Sequence, residues 1–523
     1  MSRFLFVVPP LTGHVNPAVA VGAELTARGH DVAWAGHPGT LRPLLADDAR
    51  VFAVVDDALA DRLWGDRERW VALRGPAALK SFWEEFLIPL AQAMLGPTAR
   101  SIAGFAPDVV IADQQALAGA AAARRAGVAW ATSATTPGEL SGSLTAMPRV
   151  EEWITGLLTA LQLDNGITDP VDLRFSDQLV LAYTTEALFG DTTGFGPQYV
   201  FTGPALSGRT ERGSFPWHWL DPGRPGLLVS LGTLNGAAGQ RFFGTVLDAL
   251  ADLGDELQAV IAAPYPWAAG GVPGASAFGS GALGSRAFGS GALGSGALGS
   301  DVLGSGALGN EALRSGALGS DVLGSGALGS GALRGGALGS GALRSGALGN
   351  KALGSGLPGS GVLGNEALRS EPLGSGSLGG SALESGAAGG GAIGGAFLDG
   401  APGSGVPPHI LFAGHVPQLA LLPRMSAVVS HGGHNTVCET LAHGLPLVVT
   451  PIRDDQPLIA QQVADAGAGL RLRFGRLRAG ELRDAVRAVL GDPAYRTAAV
   501  RVRDSFTAAG GAVTAADHLE KLL

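Results

Sequence analysis

The sequence has little cysteine and little charge. Cys438 is the single cysteine among 523 residues, which excludes an intrachain disulfide framework and a cysteine-based zinc site and is typical of a reducing compartment. Charged residues make up 15% of the chain, against about a quarter in ordinary globular proteins. With 36 basic and 45 acidic residues the net charge is −9, so the sequence shows no electrostatic footprint for nucleic acid or an anionic membrane surface.

Long hydrophobic runs are also missing. The apolar run from Phe4 to Val8 ends at Pro9 and Pro10, which makes it shorter than the roughly 7–15 residues of a signal-peptide core. No window approaches the roughly 18 consecutive apolar residues that predict a membrane span. We therefore expect a cytoplasmic protein without a membrane span.

Glycine, by contrast, is abundant. There are 83 glycines, and about half of them lie between Gly274 and Gly405. This segment repeats with a period of five, mostly as Gly-Ala-Leu-Gly-Ser, which fits neither a helix nor a strand. Two interpretations are open: a solenoid that stacks its leucines, or a flexible low-complexity excursion. The entropy cost of ordering so many glycines favours the second.

Outside the repeat, about 390 residues remain, which is enough for two domains. An apolar strand at 4–8, a helical pattern from Pro17 to Arg28 and a strand at 32–35 form the alternation typical of a doubly wound parallel sheet. A second such series opens at Gly226. We predict an α/β protein of two Rossmann-like domains that face each other across a cleft, where ligands bind at the carboxyl ends of the strands. The predicted parts are a first domain at 1–206, a linker at 207–225, and a second domain at 226–523 with the repeat inserted at 274–405.

One candidate pair lies at the edge of the first predicted sheet. His14 lies between the first strand and its helix, where an imidazole can accept a proton from a bound hydroxyl. Asp113 follows the strand at 108–112 on the same edge, and a carboxylate there can orient the imidazole and stabilise its charged form. Each also has an ordinary alternative, a turn or cap residue for His14 and a helix N-cap for Asp113.

A second candidate site is the segment 430–439, which follows an apolar strand and opens a helix. Its glycines let a ligand approach the backbone, and the free amides of the first helical turn favour an anion. The segment therefore predicts a phosphate cradle, to which His431, Asn435 and Thr436 can add hydrogen bonds.

Other interpretations of this segment are weaker. His431 and His434 could form a metal pair, but no third ligand is evident nearby, and we predict no metal site. Cys438 lies one turn into the helix and is interpreted as a packing residue. Thr233, in a second loop with glycine and a hydroxyl, is a further candidate phosphate contact.

Several motifs together resemble one family. His415-Val416-Pro417-Gln418, the segment 430–439, Gly444-Leu445-Pro446 and Asp455-Gln456 resemble the signature of family 1 nucleotide-sugar-dependent glycosyltransferases. Gly13-His14-Val15-Asn16-Pro17 is similar to the same family, particularly its bacterial macrolide-type members. The resemblance covers both α/β domains and excludes the repeat. It implies the GT-B fold, with the acceptor bound by the N-terminal domain and the donor by the C-terminal domain.

The resemblance also implies roles for individual residues. His14 would be the general base and Asp113 its partner. His431 and Thr436 would contact the diphosphate, and Glu439 the ribose. Many relatives have tryptophan where His415 stands, so the donor base, uridine or thymidine, stays open. The full set of expected donor contacts is Thr233, His415, Val416, Gln418, His431, Gly433, Asn435, Thr436, Glu439, Asp455 and Gln456, with the last two assigned to the donor sugar.

The implied function is inverting transfer of a sugar from a UDP- or dTDP-sugar co-substrate to a hydroxyl of a lipophilic small molecule. No tightly bound cofactor and no essential metal are expected, because helix amides can take the leaving-group charge. An aromatic stretch could line an acceptor pocket or form a helix core; it comprises Trp64, Trp70, Phe82, Trp83 and Phe86. The alternative is a non-catalytic sugar-nucleotide-binding relative that uses the repeat as an assembly surface, against which His14 and Asp113 argue.

Overall fold

Two sheets of mostly parallel strands organise the chain, as the predicted α/β class requires. Thr233 and Trp70, both singled out above, lie outside the residues that the structure describes. In the described part of the chain, every helix is too short or too polar to cross a bilayer. The computed structural model describes residues 1–64, 73, 75–142, 147–208, 215–232, 239–263 and 406–523, together with five short strands between 287 and 398.

Seven strands form the N-terminal sheet. They are β1 (Arg3–Val7), β2 (Asp31–Gly36), β3 (Arg50–Ala53), β4 (Val109–Asp113), β5 (Ala129–Ala134), β6 (Val180–Ala182) and β7 (Tyr199–Phe201). Their order is β3-β2-β1-β4-β5-β6-β7, and all neighbours pair in parallel. The central strands are continuous apolar runs because both faces of the sheet are covered by helices. Phe4 and Phe6 pack on one face, and Leu5 and Val7 on the other.

Helices cover both faces of this sheet, and a π-helical turn at Phe82–Leu87 leads into the longest of them. The helices are α1 (Thr12–Ala27), α2 (Pro38–Leu41), α3 (Asp57–Trp64), α4 (Gly75–Ser81), α5 (Ile88–Phe105), α6 (Leu117–Ala126), α7 (Pro137–Leu140), α8 (Pro148–Leu163) and α9 (Glu186–Phe189).

The start of α1 differs from the prediction. The helix begins at Thr12 and contains Pro17, whereas the sequence predicted that it begins at Pro17. That prediction relied on the preference of proline for the first helical position. Here proline lies inside the helix, where it has no N–H to donate to the carbonyl of Gly13. His14 therefore lies in the first turn of α1 and not in the loop before it.

Seven strands also form the C-terminal sheet. They are β8 (Gly226–Ser230), β9 (Gln258–Ala262), β14 (Phe397–Leu398), β15 (Ile410–Ala413), β16 (Ala427–Ser430), β17 (Leu447–Val449) and β18 (Gly469–Arg471). Their order is β14-β15-β9-β8-β16-β17-β18, with β14 antiparallel to β15 and the other neighbours parallel. The helices of this part are α10 (Gly239–Leu250), α11 (Gln418–Leu421), α12 (His434–Ala442), α13 (Gln456–Asp465), α14 (Ala479–Gly491), α15 (Pro493–Ala509) and α16 (Ala512–Glu520).

The last helix returns to the first domain. Apolar side chains of α16 share a core with Phe4 and Phe6, and Arg28 donates hydrogen bonds to Asp517 at 2.6 Å and Glu520 at 2.9 Å. The predicted second domain runs to residue 523, but the packing of α16 belongs to the N-terminal domain. The chain thus crosses between the domains twice.

Of the five strands described in the glycine-rich insert, four form a parallel sheet of their own. They are β10 (Ala287–Phe288), β11 (Gly306–Leu308), β12 (Leu323–Leu328) and β13 (Leu343–Leu348), in the order β10-β11-β12-β13. Paired residues are 20 positions apart along the chain, with Ala307 opposite Ala327 and Leu308 opposite Leu328. Because 20 is four periods of the repeat, identical residue types come into register. This register is the one that the solenoid interpretation requires of these four strands.

Candidate functional site

His14 and Asp113 are in direct contact. Nδ1 of His14 lies 3.0 and 3.1 Å from the two carboxylate oxygens of Asp113. Asp113 is the last residue of β4 and is 1% exposed, while His14 comes from the first turn of α1, after the adjacent strand β1. The carboxyl ends of neighbouring parallel strands meet at one sheet edge, which is why residues 99 positions apart converge. With Nδ1 engaged, Nε2 is the ring nitrogen available to a substrate.

Two further groups hold the carboxylate. The hydroxyl of Thr135 donates to Oδ2 of Asp113 at 2.7 Å and lies 2.7 Å from Nδ1 of His14. The backbone N–H of Gln115 donates to Oδ1 at 2.8 Å. Sequence reasoning missed Thr135, although its position directly after β5 on the same edge was a usable signal. Asp113 is therefore fixed as the charged partner of the imidazole.

The proton affinity of His14 reflects its neighbours. Burial is the largest influence and acts to lower the pKa, but the charge and hydrogen bond of Asp113, with the charges of Asp455 and Glu139, outweigh it and raise the pKa above its ordinary 6.5. The His14 environment is thus built to stabilise the imidazolium that forms when the ring accepts a proton.

Glu139 and Asp455 bring two more carboxylates toward the dyad. Burial raises the pKa of Glu139, and its buried Oε2 has no hydrogen-bond partner among the residues that the structure describes. Burial and the charge of Asp454 raise the pKa of Asp455 to about 7. Asp455 comes from the C-terminal domain and packs against Gly138, where an added Cβ would lie 2.7 Å from its own. Glu139 was missed because a glutamate in the first turn of a helix is ordinarily explained by the helix dipole.

The start of α12 is where the sequence predicts a phosphate cradle. His431 is buried beside two glycines, and a Cβ would lie 2.8 Å from its ring at Gly232 and 2.6 Å at Gly433. Burial lowers the pKa of His431 to about 4, so the ring is neutral near pH 7. None of the described residues forms a hydrogen bond with its buried Nδ1, and the ring bonds to the backbone of Ser230. When Nδ1 carries the proton of the neutral ring, it can donate to an anionic ligand at this helix N-terminus.

Three residues of α12 contact the N-terminal domain. Nδ2 of Asn435, expected at the diphosphate, donates to the carbonyl of Gly13 at 2.7 Å. Nε2 of His434 donates to the carbonyl of Tyr183 at 3.1 Å. Burial lowers the pKa of His434 to about 4, so its ring is neutral near pH 7. Cys438 is buried against the same carbonyl, and burial raises the pKa of its thiol, which fits its interpretation as a packing residue.

Two of the residues expected to contact the nucleoside, Gln418 and Glu439, lie next to each other. Gln418 donates to the carboxylate of Glu439, which is 2% exposed, so α11 and α12 bring these two together. His415 is exposed in the turn after β15. Val416 is buried in the apolar core of the domain, so only its backbone can reach a ligand.

The remaining expected donor contacts lie at two helix starts. Gly433 is the N-cap of α12, and Thr436 is half-buried in its first turn. Asp455 is the N-cap of α13, and Gln456 begins that helix. The side-chain oxygen of Gln456 accepts from the backbone N–H groups of Ile452 and Arg453 and shapes this turn.

The aromatic stretch serves mainly as core. Trp83 is 2% exposed and Phe86 is 5% exposed, both in the main cluster beneath the sheet, and Phe82 stacks on Phe86. These three side chains match the helix-core alternative. Within the described ranges, no group of three or more His, Cys, Asp or Glu side chains is arranged to hold a metal ion.

Comparison with known proteins identifies the C-terminal part. Residues 400–522 match the family "Erythromycin biosynthesis protein CIII-like, C-terminal domain". The chain is 39% identical over 118 residues to the 4'-demethylrebeccamycin synthase of Lentzea aerocolonigenes, covering 23% of this chain and 28% of that protein. It is 38% identical over 105 residues to the 3-alpha-mycarosylerythronolide B desosaminyl transferase of Saccharopolyspora erythraea, covering 20% and 25%. These alignments span about a quarter of each relative's length. The resemblance inferred from the sequence is confirmed for residues 400–522.

Solved structures show the fold of the two α/β domains. The calicheamicin glycosyltransferase CalG4 superimposes with a TM-score of 0.61 at 18% identity, covering 100% of this chain and 98% of that one. The glycosyltransferase VinC, solved in complex with dTDP, has a TM-score of 0.59 at 16% identity, covering 99% of both. The predicted GT-B fold is confirmed.

Proposed function

We propose that this chain is an inverting glycosyltransferase that moves a sugar from a UDP- or dTDP-sugar to a hydroxyl group of a lipophilic small molecule. The observation that carries the proposal is the His14–Asp113 contact, which lies beside the start of α12. A proton acceptor and an anion-binding helix start on opposite sides of one cleft are the two groups that such a transfer needs.

The reaction divides between the two domains. Nε2 of His14 accepts the proton of the acceptor hydroxyl while its oxygen attacks the anomeric carbon of the donor, and Asp113 stabilises the imidazolium. The bond from the anomeric carbon to the diphosphate oxygen breaks, and the electron pair leaves with the nucleoside diphosphate. Attack opposite the leaving group inverts the anomeric configuration.

The leaving group is held by the C-terminal domain. A bound diphosphate would contact the amides of the first turn of α12, the neutral ring of His431 and the hydroxyl of Thr436. Glu439 would accept from the ribose hydroxyls, and Asp455 with Gln456 would contact the sugar. These amides can stabilise the departing charge themselves, so the proposal includes no divalent metal.

The donor base and the acceptor are proposed by class. The exposed ring of His415 offers a small stacking surface that accommodates uracil or thymine. Among the proteins similar to this chain, one is named as a 3-alpha-mycarosylerythronolide B desosaminyl transferase, another as the calicheamicin glycosyltransferase, and a third, VinC, was solved with dTDP. A lipophilic natural product is therefore the proposed acceptor class.

The test is to incubate the full chain with UDP-glucose, dTDP-glucose or dTDP-rhamnose and a panel of lipophilic alcohols, in buffer containing EDTA. Mass spectrometry should detect a hexose or deoxyhexose adduct of at least one alcohol, together with free nucleoside diphosphate. A chain that binds nucleotide but yields no adduct under these conditions, with or without added magnesium, would favour the non-catalytic alternative.

A further inference from the structure

The carbonyl of Gly13 has an unusual partner. In a regular helix this carbonyl, in the turn that carries His14, would accept a hydrogen bond from the N–H four residues later. That residue is Pro17, which has no N–H. The proline inside α1 thus leaves the Gly13 carbonyl without its intrahelical donor.

Asn435 of the C-terminal domain supplies the missing donor. Its Nδ2 donates to the Gly13 carbonyl at 2.7 Å, across 422 positions of sequence. Asn435 is the second residue of α12, so it lies in the same helical turn that forms the phosphate cradle. The next residue after Gly13 is His14, whose ring contacts Asp113.

A second bond holds the same turn of α12 to the N-terminal domain. His434 donates to the carbonyl of Tyr183, directly after β6, and both side chains are buried. The Tyr183 hydroxyl in turn bonds to Ser133 of β5, two residues before Thr135. The first turn of α12 is therefore fixed to the N-terminal domain on one side by a buried bond and on the other by Asn435.

From this arrangement we propose that Asn435 is a positioning residue, which couples occupation of the diphosphate site to the orientation of His14 through the Gly13 carbonyl. The inference rests on the proposed function. Gly13 is exposed, so water can replace the amide when Asn435 is removed. Loss of the bond should therefore cost little stability but should uncouple the two sites.

The kinetic test compares N435A with the wild type at saturating donor and acceptor. One neutral hydrogen bond corresponds to about a fivefold change in rate, so kcat should fall about fivefold, while the Kd of UDP and dTDP stays within about twofold. A second pair, P17A and P17A/N435A, is the matched control. Replacing Pro17 by alanine restores a backbone N–H that reaches the Gly13 carbonyl, so N435A should have a smaller effect in this background.

A spectroscopic readout makes the test independent of turnover. The ring signals of His14 in the NMR spectrum are assigned by their loss in H14A, and UDP or dTDP is then added to saturation. We expect the nucleotide to shift the His14 signal in the wild type and to shift it much less in N435A.

Each outcome has a separate meaning. An equal shift in both proteins, or an equal kinetic effect of N435A with and without Pro17, would overturn the positioning role and leave the proposed function intact. A tenfold loss of nucleotide affinity at unchanged kcat would instead make Asn435 a phosphate contact and would also overturn the positioning role. A wild-type chain that binds neither UDP nor dTDP would overturn both proposals.

Discussion

The proton affinity of His14, the proposed base, depends on the carboxylates around it. Asp113 contacts the ring directly, and Glu139 and Asp455 act through their charge from two different domains. A raised pKa makes the imidazole a stronger proton acceptor but also means that it is protonated, and inactive as a base, at mildly acidic pH.

The pH profile tests this environment. We expect kcat/KM to fall on the acid side with a midpoint above 6.5, because the pKa of His14 is raised from that value and the neutral ring is the active form. Asp113→Asn removes the charge that does most to raise the pKa, so the midpoint should move to lower pH while the rate at the plateau falls.

Glu139→Gln is the control for that profile. It removes a more weakly acting charge, so it should move the midpoint in the same direction by less. A midpoint that did not move in D113N would contradict the assignment of the acid limb to His14. Asp455 has a pKa of about 7 and interacts with His14, so the midpoint reports the titration of His14 together with this carboxylate.

His431 should control donor affinity. A hydrogen bond to a charged group is worth about 1.5–3 kcal/mol, so His431→Ala should weaken binding of UDP or dTDP about tenfold to a hundredfold. Isothermal titration calorimetry measures the Kd. His443→Ala, immediately after the other end of α12, should leave it near the wild-type value; equal affinities in all three proteins would remove His431 from the site.

At the scale of elements, the sequence predicted the strands and the dyad for a physical reason. Parallel strands buried on both faces appear as short apolar runs, and residues directly after neighbouring strands must share an edge. The predicted start of α1 was wrong because Pro17 was assigned to the first helical position, whereas it lies inside the helix. Thr135 and Glu139 look like ordinary turn or helix-start residues, and the Asn435–Gly13 bond joins two domains, which a single sequence does not reveal.

The insert gives a prediction at the same scale. Arg344 lies within β13, which pairs in parallel with β12, so trypsin should cleave after it slowly in the native chain. A synthetic peptide of residues 338–352 is the control, cut at the rate of an unfolded chain. Cleavage of the native chain at the peptide's rate, followed by mass spectrometry, would show that the flexible interpretation was right.

For the whole molecule, the two domains are connected in ways that keep the halves of the site together. α16 returns from the second domain to pack in the core of the first, and Arg28 joins it there through Asp517 and Glu520. At the other end of the cleft, α12 bonds to α1 and to the end of β6. His14 and the start of α12 therefore lie close together, as the proposed transfer between two bound substrates requires.

His14 is the proposed base of sugar transfer by this chain. The most direct measurement is the transfer rate of the wild type and His14→Ala on one donor and one alcohol, with the Kd of the nucleoside diphosphate measured for both. We predict measurable transfer by the wild type, a loss of about 10²–10⁴-fold in H14A, and a Kd within about twofold. Near-normal turnover by H14A would contradict the account.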